Sequence, residues 1–421
     1  MNPEGNNMRV SNRDRATLRN LAGRVAEIAA LPEQAEKVRL WTACNDLRPE
    51  RAMLFAWQFP PEFYSQWMSP QCEDAALHPF ERALREKVVR HERVHDDFPI
   101  LDTFNVEIQA TGGGYNDYGF QLLTTSSEYN RGAYHIEPVI RTEADIEKLH
   151  FRPIELQIEG TNRSCELANE LFGDLLKVRR VGRLFWRYGL SRVLIHMRGL
   201  DRMMMDMYEQ PEIIHRLMAF LRDDFMRELD LYEGAGEVAV NNLADNICGS
   251  GGLAPTESLP GEKIEGAPGA RHCFCWGESQ ETVGVGPQLF DEFVLQYQLP
   301  LLRRFGLVDY GCCEPLDHKY DVLFENVPNL RWCAVPPSAN RERAAEKIGR
   351  KFVFVYKPNP SRICAPRPDW ASAESDIRET IAIARGCAVH IVMKDIHTLC
   401  GEPERVTQWT DMASRVVREM A

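Results

Sequence analysis

Apolar positions along this chain fall first at helical spacing and then in short runs separated by polar stretches. Leu18, Leu21, Val25 and Ile28 lie three and four residues apart. They predict one or two helices over 16–43, broken at Leu31-Pro32, behind a loosely packed arm that reaches about Arg15. Met53-Leu54-Phe55-Ala56-Trp57 reads as a strand and 80–95 as a charged amphipathic helix. The stretch 99–123 is β-rich, with Asn105-Val106-Glu107-Ile108 running into Gly112-Gly113-Gly114. No Gly-Lys-Ser/Thr and no helix follows these glycines, so they are not a phosphate loop. A further strand is predicted over 135–140. Thr142 then starts a helix as N-cap, with Asp145 at the capping-box position.

Further along, the alternation becomes regular. Leu184-Phe185-Trp186 and Val193-Leu194-Ile195 are apolar runs, and a long helix within 206–233 is interrupted near Pro211. Strands are predicted at 237–243, 273–276, 305–310, 330–335, 352–356 and 388–393. Helices at 287–304, 318–325, 341–348, 369–385 and 403–419 lie between and after them. Strand and helix in strict alternation, joined by short connections, mark a parallel α/β fold. Six such units without a dinucleotide fingerprint favour a closed barrel over a doubly wound sheet. The expected architecture is therefore a (β/α)8 TIM-type barrel over 46–421, with an N-terminal arm and helical extension over 1–45.

Composition narrows the class. A hydrophobic fraction of 44% beside 27% charged residues is that of an ordinary globular protein. The net charge of −12 argues against nucleic acid as a partner. No apolar run approaches the roughly 20 residues that cross a bilayer, and the first residues lack the pattern of a signal peptide, so a cytoplasmic location is expected. In that setting the twelve cysteines are free thiols or ligands rather than disulfides.

In a parallel barrel the working residues sit just past the C-terminal ends of the strands. The predicted strand exits carry Asn241, Asn242 and Asp245; Glu278 and Gln280; Tyr310, Cys312, Cys313 and Glu314; Lys357 and Asn359; and Lys394, Asp395 and His397. Two adjacent thiols with a carboxylate are a poor structural choice, because neighbours on a strand face opposite ways. Thiolate with carboxylate or imidazole suits Zn²⁺, so Cys312, Cys313, Glu314 and His397 are the candidate metal ligands. Lys394, Asp395, Lys357 and Glu278 are the candidate catalytic groups. Asn241, Asn242, Asp245, Gln280, Tyr310 and Asn359 are candidate substrate contacts. Asp395-Ile396-His397-Thr398-Leu399-Cys400-Gly401 has one residue too many for a cobalamin-binding motif, and too little chain follows it for such a domain.

Several stretches resemble the uroporphyrinogen decarboxylase superfamily. They are Met197-Arg198-Gly199-Leu200-Asp201 through Asp206-Met207-Tyr208 and Pro211-Glu212-Ile213; Glu143-Ala144-Asp145-Ile146-Glu147-Lys148-Leu149; and Gly401-Glu402-Pro403-Glu404-Arg405. The resemblance implies a (β/α)8 barrel and one of two activities, cofactor-free decarboxylation or zinc-dependent methyl transfer to a corrinoid protein. The decarboxylase segment of the type Arg-Gln-Ala-Gly-Arg is absent, and Arg51-Ala52-Met53-Leu54-Phe55-Ala56-Trp57 stands in its place. The zinc motif His-x-Cys of the methyltransferase branch is altered, with Tyr310 in the histidine position if Cys312 matches the cysteine. Gly311-Cys312-Cys313-Glu314-Pro315-Leu316, Tyr356-Lys357-Pro358-Asn359-Pro360 and Met393-Lys394-Asp395-Ile396-His397-Thr398 are similar to a subgroup that includes O-demethylase methyltransferases.

The expectation is a zinc-dependent methyltransferase that moves a methyl group from a small, methoxylated aromatic substrate to a separate corrinoid protein. The cobalamin is supplied by that partner, and self-association into a homodimer is left open. The alternative is a metal-free decarboxylase or lyase acting on a carboxylated substrate.

Overall fold

The computed structural model describes residues 10–121, 123–126, 134–261 and 263–421. Seven strands, numbered in chain order, form one sheet: β1 (Met53–Ala56), β2 (Arg187–Tyr188), β3 (Phe274–Gly277), β4 (Leu307–Tyr310), β5 (Leu330–Val335), β6 (Val353–Tyr356) and β7 (Ala388–Met393). Their spatial order is β1-β7-β6-β5-β4-β3-β2, and every pairing is parallel. Helices lie between successive strands, as parallel connections require. A second parallel pair, Thr103–Glu107 with Lys177–Val181, lies apart from this sheet.

From residue 273 onward the predicted helices and strands match the structure to within a few residues. The stretch predicted as a helix over 287–304 is divided by a π turn at Asp291–Leu295. The N-terminal arm is shorter than expected. A helix, α1 (Asn12–Ala29), already begins at Asn12, where the Ser11 hydroxyl accepts the Asp14 amide, and residues 1–9 lie outside the described chain. Pro32 is the first residue of the next helix, α2 (Pro32–Asn45), which accounts for the break. At Thr142 the Asp145 carboxylate accepts both the Thr142 amide and its hydroxyl.

One predicted strand is absent. Over 237–243 the backbone makes only an isolated parallel bridge, Arg183 with Val238. The side chain of Asn241 replaces the missing ladder. Its Nδ2 donates to Leu184 O (2.9 Å) and Phe274 O (2.8 Å), and its Oδ1 accepts from Phe274 N (2.8 Å).

The register places the strand ends in one row. Gly277 pairs with Tyr310, Tyr310 with Cys333, Val335 with Tyr356, Tyr356 with Ile391, and Met393 with Ala56. The residues that follow these ends therefore share one rim. Below the rim the interior is filled. Trp41 of α2 meets the His390 ring edge-on at 4.7 Å between centroids, and Trp332 meets the same ring at 5.1 Å. Burial holds this histidine far below its ordinary pKa, at about 3, so it is a neutral packing group. The buried segment 248–256 passes across the inner side of the strands. Gly249, at φ +60°, lies so close to Asp309 that a Cβ would stand 2.2 Å from its Oδ2. No helix of the described residues is long and apolar enough to cross a membrane.

Candidate active site

At the exit of β4 the chain turns at Gly311, whose φ of +99° favours glycine and whose amide donates to Gly277 O (2.9 Å). The turn lifts Cys312 and Cys313 to the rim. Glu314 then closes the loop. Its two carboxylate oxygens accept the backbone amides of Ser279 (2.9 Å) and Cys312 (2.8 Å), tying the exits of β3 and β4 together. At the exit of β7, Lys394 and Asp395 follow Met393, whose carbonyl accepts the Trp57 amide at 2.8 Å.

These exits surround a cavity of about 630 Å³ lined by Trp57, Gln58, Phe185, Arg187, Arg192, Trp276, Gln280, Cys312, Cys313, Lys394, Asp395 and His397. Its walls are aromatic and its charged groups are chiefly cationic. Two of its residues, Gln58 (φ 59°) and Asp395 (φ 58°), hold left-handed backbone without being glycine. Such strain persists where the surrounding structure enforces it, and it concentrates at functional sites.

The electrostatic centre is Cys312. Its Sγ lies 3.5 Å from the Cys313 sulfur and 3.5 Å from the Lys394 ammonium. The hydrogen bond from the Cys313 thiol pulls its pKa down to about 4. Burial opposes this, and the charges of Lys357 and Lys394 add to it. The Lys394 ammonium beside it makes Cys312 the sulfur of the pair favoured as thiolate. Cys313 keeps its proton and is pushed upward, first by that hydrogen bond and then by burial, and its sulfur also approaches Asp395 Oδ2 at 3.6 Å. Lys394 is buried, which weakens its charge, but the Cys312 thiolate and Asp395 outweigh this and raise its pKa. Its ammonium also lies 5.9 Å and 5.8 Å from the ring centres of Trp57 and Trp276. Lys357 sits behind the cavity and donates to Ser250 O (3.2 Å). Burial, and then the charge of Lys394, lower its pKa. Asp309 lies deeper still and accepts the Ser250 amide at 2.6 Å. Burial pushes its pKa up to about 7.

Of the residues predicted from sequence, Lys394, Asp395, Gln280, Cys312, Cys313 and His397 line the cavity together, and Lys357 supports it from below. The others do not reach it. Glu278 is fully buried and bound by Arg187, whose Nη2 donates to Oε1 at 2.6 Å. It therefore acts on the cavity through Arg187, which stacks 4.3 Å over the Trp276 ring. Tyr310 points into the core and donates to Gln298 Oε1 (2.7 Å), because alternation along β4 turns it towards the helices. Asn241 completes the sheet. Asn242 is buried and donates only to the carbonyls of Thr256 and Leu259, at 3.4 Å each. Asp245 accepts Lys87 Nζ (3.2 Å) and Thr103 Oγ1 (2.9 Å), away from the cavity. Asn359 accepts the Ser361 amide at 3.0 Å and starts a helical turn.

The zinc expectation meets a specific obstacle. Both oxygens of Glu314 are engaged by backbone amides, and the Lys394 ammonium occupies the cation's place at the Cys312 sulfur. Among the described residues no three His, Cys, Asp or Glu side chains converge on a common point. This donor set does not fit a zinc centre, which needs three or four convergent ligands.

Sequence reasoning missed Phe185, Arg187 and Arg192 as cavity residues. For Phe185 and Arg187 the signal was the aromatic and basic run Leu184-Phe185-Trp186-Arg187, which leads into a strand of only two residues, and Arg192 lies on the helix that follows. Arg192 lines the cavity, and its charge acts on Glu281, whose pKa it lowers against burial.

No family model and no curated protein matches this chain. A methyltransferase from Methanosarcina mazei is among the solved structures it resembles. That protein is 11% identical, the match covers 89% of this chain and 97% of the other, and the TM-score is 0.48.

Proposed function

We propose that the protein is a group-transfer enzyme of the methyltransferase type, acting on a small, planar, anionic substrate. The observation that carries this reading is the Cys312 thiolate held 3.5 Å from the Lys394 ammonium in an aromatic-walled cavity. A substrate ring would lie between Trp57, Phe185 and Trp276, with its carboxylate or phenolate towards Arg187 and Arg192. The thiolate is the nucleophile. As its sulfur bonds to the methyl carbon, the carbon–oxygen bond breaks and Lys394 gives its proton to the departing oxygen. A separate corrinoid protein as final acceptor follows only from the sequence resemblance, and no step is assigned to zinc. We further infer that the seven-stranded sheet is most of a (β/α)8 barrel. Its remaining wall would comprise the Arg183–Val238 bridge and the Thr103–Glu107/Lys177–Val181 pair, with the cavity at the C-terminal face.

A second reading, decarboxylation, is favoured by the cluster of Arg187, Arg192 and Lys394, which would hold a carboxylate beside a proton donor. One experiment separates the two. Purified protein is incubated with methoxylated aromatic acids, with and without a reduced corrinoid protein, and both the methoxy proton signal and released CO₂ are followed. Loss of the methoxy signal that requires Cys312 supports methyl transfer. CO₂ release that survives Cys312→Ser supports the lyase. Neither signal from any substrate of this class sinks both readings.

A further inference from the structure

The two sulfurs at the rim stand in a relation that group transfer does not require. Cys312 and Cys313 Sγ are 3.5 Å apart, both face the cavity, and Cys313 is exposed. Three charges surround the pair. The Lys394 ammonium lies 3.5 Å from Cys312, the Asp395 carboxylate 3.6 Å from Cys313, and Lys357 lies below. The other exposed cysteine, Cys400, donates to the Cys364 carbonyl at 3.3 Å rather than to a sulfur.

We propose that Cys312 and Cys313 form a reversible oxidation site, at which a hydroperoxide converts the dithiol into a disulfide between neighbouring residues and so switches the enzyme off. The Cys312 thiolate attacks the peroxide. A sulfur–oxygen bond forms, the oxygen–oxygen bond breaks, and Lys394 protonates the leaving hydroxide. This gives a sulfenic acid and one water or alcohol. The Cys313 sulfur then attacks Cys312. The sulfur–sulfur bond forms, and Asp395 takes the Cys313 proton and passes it to the departing hydroxyl, which leaves as a second water. Two electrons leave the sulfurs and reduce the peroxide.

Reversal is built into the chain geometry. Neighbouring Cα atoms across a trans peptide are about 3.8 Å apart, below the roughly 4.4–6.8 Å span of ordinary disulfides. Such a bridge is strained and therefore readily reduced by a dithiol. Gly311, already in left-handed backbone at φ +99°, precedes the pair and can absorb the local change. Closing the bridge removes the nucleophile and shifts Cys312 off Lys394.

The inference rests on Cys312 being the working thiolate, but its readout is mass and thiol count rather than turnover. Full-length protein is treated with hydrogen peroxide, digested without reductant and analysed by mass spectrometry. The peptide carrying residues 312–313 is expected to lose two hydrogens, the protein to lose two titratable thiols, and dithiothreitol to restore both. In Cys313→Ser the same peptide is expected to gain oxygen at Cys312 instead. In Lys394→Gln the reaction is expected to slow by about 10²-fold, the lower end of what a positioned proton donor contributes. Oxygen addition at Cys312 without ring closure in the unmodified protein overturns the proposal. So does earlier disulfide formation between other cysteines. Ring closure in a protein that demethylates nothing leaves this inference standing and removes the methyl-transfer reading. Demethylation without ring closure does the reverse.

Discussion

Two stretches past the strands carry similar polar residues and put them to opposite uses. Beyond β4 and β7, Cys312, Cys313, Lys394 and Asp395 face an open cavity. Along and just past the 237–243 segment, Asn241, Asn242 and Asp245 are turned inward and bound to carbonyls, an amide, a hydroxyl and a lysine. The difference lies in the backbone. β4 and β7 are paired on both sides, so their amides and carbonyls are satisfied and the exit side chains are free. The 237–243 segment has one bridge, and its neighbours' backbone groups must be satisfied by side chains. A polar residue at a strand exit is available for chemistry only where the strand itself needs nothing from it.

The strongest way to break this comparison is at the free side. Cys312→Ser should lower kcat by more than about 10⁴-fold, as loss of a nucleophile does, and Lys394→Gln by about 10²–10⁴-fold, as loss of a proton donor does. Circular dichroism should show an unchanged fold. Activity within error of the unmodified protein in both variants would remove these residues from the chemistry. The opposite result is expected of Asn241→Ala. It leaves Phe274 N and two carbonyls unpaired in a buried place, so stability should fall by about 2–4 kcal/mol. Denaturant midpoints would record the loss, and the folded fraction should retain its specific activity.

This contrast also marks what could be read from the chain. The order of elements from β3 onward was legible because apolar runs of strand length alternate with helical periodicity, and both signals are local. The rim cluster was legible too, since Cys312, Cys313, Lys394 and Asp395 follow strands whose ends the register aligns. The fate of Tyr310 and Glu314 was not. Tyr310 sits one position before the turn, and strand alternation sends it to the core. Glu314 looks like a ligand in sequence but reaches two backbone amides from different loops, a contact that exists only after folding. The course of 248–256 was not legible either, since its glycines let it run buried against Asp309 only once the strands are assembled.

Glu314 lies on the active loop yet behaves like Asn241, which makes it an intermediate test. Glu314→Gln keeps one accepting oxygen and turns an amide donor towards a backbone N–H. A stability loss of about 1–3 kcal/mol is expected. The Cys312 amide would also lose its anchor, so iodoacetamide should label Cys312 more slowly. A stable variant with unchanged labelling would show that the loop holds itself without this carboxylate.

The smallest effect expected is a pH slope at Asp309, and it sharpens the boundary between the two behaviours. Asp309 lies under the rim, near Lys357, Cys312 and Lys394, and burial raises its pKa from 3.8 to about 7. Between those values the folded protein holds a proton there that the unfolded chain releases. The folded state is therefore favoured at low pH, and this contribution is lost as pH rises through about 7. From pH 6 to pH 8 the loss from this one group is about 1 kcal/mol. Urea unfolding of the unmodified protein and of Asp309→Asn, at both pH values, isolates it. The difference in stability between the two proteins should change by that amount in favour of the unmodified protein at pH 6. If the difference is the same at both pH values, Asp309 is already ionised in the fold. Its burial would then be balanced by Lys357 and the Ser250 amide, and the residue would belong with the self-satisfied groups beneath the site rather than with the titrating groups of the rim.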